Sequence, residues 1–286
     1  MKDPLPPPPA FLTTLTAPLS SLLGLRTLPQ HIHELLLALT TYYLLFLYLS
    51  PLLSRRLFPR TYPSLTARQL ISWNVHVVSM VQSLFINALA LWVIVRDEER
   101  WAMGWRERVW GYTGAMGMVQ GFSAGYFWWD LAVCMRDVEV QGVGVLVHAG
   151  SAVVVSGLGF RPFLNYYGIN FVLYELSTPF LNVHWFLDKC VMTGSRFQLI
   201  NGIALIASFG ASRLVWGTYQ TVNMYRDVWQ ALKTPGELPV PPWLALAYLL
   251  ANTMLSGLNF WWFSRMIVTV SKRFEKPRAQ ANKKER

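Results

Sequence analysis

Four ionisable side chains, Asp130, His148, Glu175 and Arg213, interrupt stretches that are otherwise apolar enough to lie in a membrane. An ionisable group there costs at least ~2.5 kcal/mol on insertion scales, so each is kept for a partner or for a function. Asp130 and His148 flank a short polar connection, Asp137 to Gly142, which makes their helices antiparallel neighbours. At 1.5 Å per residue, Asp130 lies roughly 13 Å and His148 roughly 15 Å from the centre of that turn. Glu175 arrives from the other side through a turn near Arg161 and Pro162, and both it and His148 lie about 13 residues from that turn, or roughly 20 Å. The three groups are therefore expected in one layer near mid-membrane, with Asn170 and Gln82 as further polar contacts. A carboxylate beside an imidazole orients the ring and fixes its tautomer, which suits a general base or a clamp on a lipid headgroup. His148 and Asp130 are the candidate catalytic residues; mutual satisfaction inside a helix bundle is the purely structural alternative. Arg213 is placed toward the end of its span, where a long cationic side chain snorkels.

The elements that carry these groups follow from composition. The chain has 286 residues, 53% of them hydrophobic and 14% charged, against roughly 25% charged in soluble domains. Charge-poor runs of about 20 residues, enough to cross a ~30 Å hydrocarbon core, recur along its length. Expected spans are 35–53, 75–95, 110–135, 143–160, 162–187, 197–222 and 242–268. The pattern predicts an all-α transmembrane fold of about seven spans, because lipid leaves no backbone amide unpaired and the alternation of a β-barrel is missing. The fifth span is interrupted by Asn165, Asn170, Glu175 and Asn182, and Pro179 ends or kinks a helix there. Gly117, Gly121 and Gly125 recur every four residues in the third span, and Gly150, Ser151, Gly157 and Gly159 line the fourth, which predicts close helix packing around the polar layer. Phe127, Trp128, Trp129, Trp216, Trp261 and Trp262 read as packing and interfacial aromatics.

Residues 1–30 read as a disordered, Pro-rich lead ending in a surface-lying segment, and 31–69 as an extra first span with a basic loop. Residues 271–286 form a basic tail. Lys and Arg number 14 on the side of that tail and nine on the other, so the positive-inside rule puts the C-terminus in the cytosol. The ending Lys283-Lys284-Glu285-Arg286 fits a dilysine retrieval signal, read by coat machinery on a cytosolic tail and returning a protein to the endoplasmic reticulum. A solvated basic tail is the alternative. The net charge of +10 is carried between spans and in the tail, which favours anionic lipid headgroups over nucleic acid. Cys134 and Cys190 lack metal-ligand spacing and read as free thiols near the cytosolic face. No phosphate loop, GxSxG elbow or HExxH occurs, and no cofactor or metal is expected.

One stretch is more specific. Glu175-Leu176-Ser177-Thr178-Pro179-Phe180-Leu181-Asn182, followed by Trp185-Phe186, resembles the TLC-domain signature E-L-S-T/S-P-F-x-N-x-x-W-F, as do Trp73 to Ser79, Gly125 to Asp130, His148, and Asn201-Gly202 with Arg213. The chain is similar over 70–270 to the TLC-domain proteins that are not ceramide synthases. The resemblance implies six helices in a ring around a central lipid-accommodating cavity, with the first span outside or beside it. It also includes ceramide synthases, which use paired histidines and aspartates on acyl-CoA. Here Val147 stands at the first paired His, Tyr174 to Thr178 replaces H-D-x-S-D, and Gln82 stands where close relatives carry His. Those patterns are incomplete for ceramide synthesis. The reading is a lipid-homeostasis protein that binds or senses a lipid within the membrane. The alternatives are a divergent acyltransferase using His148 and Asp130 on acyl-CoA, and a membrane chaperone or cargo receptor.

Overall fold

The computed structural model describes residues 1–234 and 239–284, those beyond 270 as helical backbone only. Every described regular element is helical. The main helices are α1 (Ala10–Leu23), α2 (Leu28–Leu57), α3 (Ala67–Arg96), α4 (Gly114–Arg136), α5 (Val143–Leu158), α6 (165–189), α7 (Arg196–Lys233) and α8 (Pro242–Lys284). Among the described residues α2, α3, α7 and the 242–270 part of α8 are long and apolar enough to cross a membrane. The other expected spans take different forms. The third is α4, a 23-residue helix enclosed along most of its length. The fourth is α5, only 16 residues long, and the fifth is broken.

The helix starts are chemically marked. Thr66 and Gln69 form a reciprocal capping box at α3, and Thr113 and Ser195 accept backbone N–H bonds at α4 and α7, satisfying donors that a helix start leaves open. The break in α6 is a tight turn over Leu173–Ser177, with Pro179 opening the half that follows; proline lacks the N–H that would continue the ladder and is at home in a first turn. A widened π-turn, Gly210–Trp216, interrupts α7, and another in α2, Leu45–Leu49, precedes Pro51.

Six helices close a ring. α3 packs on α4, α4 on α5, α5 on α8, α8 on α7, α7 on α6, and α6 returns to α3. α2 lies outside and packs along α4. The glycine stripe of α4 serves that outer contact and not the polar layer. A Cβ on Gly125 would stand 2.3 Å from the Leu35 carbonyl oxygen, and one on Gly121 2.6 Å from Glu34. Only hydrogen lets the two backbones approach so closely. On α5, by contrast, Gly150 and Gly157 have nothing within 4 Å of such a Cβ. The core between α2, α3 and α4 is filled by Tyr42, Val78, Ile86, Met118 and Trp129. Leu199, Ile200 and Ile203 are exposed on the outside of α7, as a lipid-facing surface requires.

The lead also differs from expectation. Its first residues lie against the start of α4: the Met1 amine is 2.7 Å from Asp97, and Ala115 N–H donates to the Met1 carbonyl. α1 then packs on α2 and presents Phe11, Leu15 and Leu22 outward.

Candidate functional site

The ring encloses two chambers. The larger, about 580 Å³, extends toward the turns after α4 and α6, and its walls include His76, Ser79, Asp130, Gln141, His184 and Arg265. The smaller, about 110 Å³, extends toward the turn before α6 and is walled chiefly by apolar groups such as Ile86, Val155, Phe171, Met224 and Leu255. Phe127, His148, Glu175 and Arg213 line both, so a waist of one aromatic and three ionisable side chains separates an apolar chamber from a mainly apolar one that carries more polar groups.

The irregular turns place the waist. Glu175 sits in the tight turn that breaks α6, and Arg213 in the π-turn of α7, and such departures from regular helix occur where a side chain must be re-aimed. Arg213 does not snorkel. Its Nε donates to the Tyr174 carbonyl (2.9 Å) and to Ser177 Oγ (3.2 Å), Nη1 donates to Asn259 Oδ1 (3.2 Å), and Nη2 donates to Thr178 Oγ1 (3.3 Å). Nη2 also stands 3.6 Å from Glu175 Oε1, and Thr178 Oγ1 donates to Glu175 Oε2 at 2.7 Å. The guanidinium thus shares with Ser177 Oγ (3.3 Å) the carbonyl at the helix break and balances the charge beside it. The snorkelling expectation fails because the side chain points along the break in α6 and not toward the membrane surface.

The other anticipated residues separate into three placements. Asp130, His148 and Glu175 line the larger chamber together. Asp130 and His148 do not bond to each other: Asp130 accepts a long contact from Cys134 Sγ (3.8 Å), and the His148 ring meets Trp262 edge-on at 5.5 Å. Gln82 lines the smaller chamber and accepts from Tyr42 Oη. Asn170 lines neither. It accepts from Arg100 Nη2 (2.6 Å) and donates to Gln220 (3.0 Å), and its carbonyl takes the Trp216 N–H, which ties α6 to α7 and to the turn after α3. Within the signature stretch, Ser177, Thr178, Leu181 and Asn182 face the larger chamber, Leu176 packs on the core, and Phe180 is exposed. Lys283 and Lys284 carry no described side chains. Cys134 and Cys190 are free thiols; burial holds the Cys190 thiol above its ordinary pKa.

Sequence reasoning passed over His76. Its Nδ1 donates to Asn182 Oδ1 at 2.7 Å, Asn182 Nδ2 donates to Ser79 (3.1 Å), and the ring stacks on Trp185 at 4.3 Å. That holds Nε2 as the unprotonated nitrogen of the neutral ring. The signal was present, an imidazole at the edge of an apolar span, but its partners lie over 100 residues away. At the opposite end, Arg108 grips Asp227 with two bonds, Nε at 2.6 Å and Nη2 at 3.0 Å, and the adjacent carboxylate holds its pKa above the usual guanidinium value.

These features agree with the comparisons. The TRAM/LAG1/CLN8 family model, described as the TLC domain, matches residues 72–268. An uncharacterized TLC domain-containing protein of Schizosaccharomyces pombe is 37% identical over 270 residues, covering 94% of this chain and 89% of its own. Topoisomerase I damage affected protein 4 of Saccharomyces cerevisiae is 32% identical over 254 residues, with 86% of each chain covered. The human TLC domain-containing protein 4 is 24% identical over 229 residues, covering 79% of this chain and 84% of its own. With two thirds of its length matched and its ring closed around a polar-waisted cavity, the chain belongs to the TLC domain family.

Proposed function

We propose that this protein takes a membrane lipid into the ring and acts in lipid homeostasis in the endoplasmic reticulum. The observation that carries this reading is the two-chamber cavity. An apolar chamber accepts an acyl chain, and the larger chamber, with His76, Asp130, His148 and Arg265 on its wall, accepts a headgroup. Mostly apolar cavities with a few convergent polar groups are the usual form of a small-molecule site. The test is lipid extraction and mass spectrometry of protein purified in mild detergent, compared with Ala152→Phe. Ala152 is buried on the wall of the apolar chamber, so the larger ring occupies the space of a chain. The wild type should retain a defined lipid class and the variant should lose it; equal lipid content in both would count against the reading.

A second reading, acyl transfer, is favoured by one observation: three imidazoles, His76, His148 and His184, and the Asp130 carboxylate line one chamber. A base and a group that orients it are what such a transfer requires. Turnover of a labelled acyl-CoA by purified protein, lost in His148→Ala, would support it, and no turnover with a panel of lipid acceptors would oppose it. Retention in the endoplasmic reticulum with a cytosolic C-terminus is proposed from the basic asymmetry and the terminal lysines.

A further inference from the structure

Outside the ring, at the start of α2, Asp3, His31 and Glu34 bring one nitrogen and two carboxylates together, their ligand atoms all within 4.8 Å of one another. Glu34 is 0% and His31 1% exposed, while Asp3 reaches in from the lead with a quarter of its side chain accessible. His31 Nδ1 stands 2.7 Å from Glu34 Oε2 and 3.4 Å from Asp3 Oδ2. Gly117 and Gly121 of α4 form the floor: a Cβ on either would strike His31 Nε2 or Glu34 Oε2.

The proton positions make this arrangement informative. Tyr112 Oη donates to Gln30 Oε1 (3.2 Å), so it accepts from His31 Nε2 on its other side. With its proton on Nε2, the imidazole turns the bare Nδ1 lone pair toward two carboxylate oxygens. Three lone pairs converge there, and they repel unless something positive lies between them. A single proton neutralises one carboxylate, whereas a divalent cation neutralises both. Glu34 Oε1 is buried with no hydrogen-bond partner among the described residues, so one coordinating atom is still open. Neither Asp3 nor Glu34 faces the two chambers.

We propose that Asp3, His31 and Glu34 bind a divalent cation of the zinc class, fastening the lead to α2 where α2 packs on the ring. Nitrogen and carboxylate oxygens at 2.0–2.2 Å suit Zn²⁺, and a tetrahedral set at that distance separates its donors by about 3.3 Å. The Nδ1 to Asp3 spacing already matches, and Glu34 has to draw back by about 0.6 Å to meet the same spacing. Tyr112 then does what the outer partner of a metal-bound histidine does, taking the second ring N–H and fixing the tautomer. Asp3 lies 28 residues from His31, so no local ligand spacing marks the set, and only the folded lead brings it in.

The test uses the full chain with a C-terminal tag free of histidine, purified without chelator. Elemental analysis should find about one zinc per chain in the wild type. Asp3→Asn alters a partly exposed residue of the lead and leaves the bundle core intact; zinc affinity should fall at least about tenfold with an unchanged size-exclusion profile. Glu34→Gln should lose the ion as well. Zn²⁺ added to the stripped wild type should raise its melting midpoint, in proportion to the logarithm of its concentration, and Mg²⁺ should not. A wild type that neither carries zinc nor shifts with it would overturn the proposal in favour of a shared proton, and so would equal zinc in the wild type and both variants.

Discussion

The Arg213 guanidinium stands 3.6 Å from the Glu175 carboxylate, and each comes from a deliberately irregular turn of its helix. The two turns face each other across the waist, so the charge pair and the break in α6 depend on one another. Arg213→Met removes the cation and leaves the mostly enclosed Glu175 with Thr178 as its partner among the described residues, a loss of up to about 3–5 kcal/mol, the range for a broken buried pair. The double variant Arg213→Met with Glu175→Gln should recover a large part of that loss. Melting midpoints of the three purified proteins check this, and a double variant no better than the single one would show that the bonds from Arg213 to Tyr174, Ser177 and Asn259 carry the effect alone.

Among the described residues His148 has no hydrogen-bond partner, only the edge contact with Trp262. His148→Ala should therefore leave abundance near normal while abolishing the lipid phenotype and reducing co-purified lipid. Level and phenotype are measured in the same cells. Normal abundance with an intact phenotype would place the working group elsewhere on the chamber wall.

Glycines on α4 and α5 should respond oppositely. Gly125→Val drives a side chain into the Leu35 carbonyl and should cost about 1–3 kcal/mol or more, because packed backbones must separate. Gly157→Ala meets open space and should gain about 0.5–1 kcal/mol through the better helix propensity of alanine. Thermal denaturation of the two variants in detergent, beside the wild type, decides.

Orientation is tested in sealed microsomes, where added protease should remove a C-terminal tag. A protected tag would reverse the assignment. Internal tagging combined with Lys283→Ser and Lys284→Ser should move the protein toward the Golgi, and unchanged reticular staining would reduce the ending to a solvated basic tail.

The all-α membrane class was readable in the chain, and the expected common depth of Asp130, His148 and Glu175 was argued from it, because both rest on local quantities. Apolar run length sets the class, and a fixed rise per residue from two turns sets depth. Pro179 marked the weakness of the fifth span for the same reason, since the missing N–H acts within one turn. What a side chain touches is not local. Only the folded ring turns Arg213 inward onto the break in α6, pairs His76 with Asn182, directs Asn170 to Arg100 rather than into the cavity, and carries the Pro-rich lead up to His31 and Glu34. The glycine stripe shows the division most plainly: its spacing announced a close helix contact, but a spacing has no partner. That α2 fills the place, and not the polar layer, was decided when the ring closed and left one apolar helix face to cover.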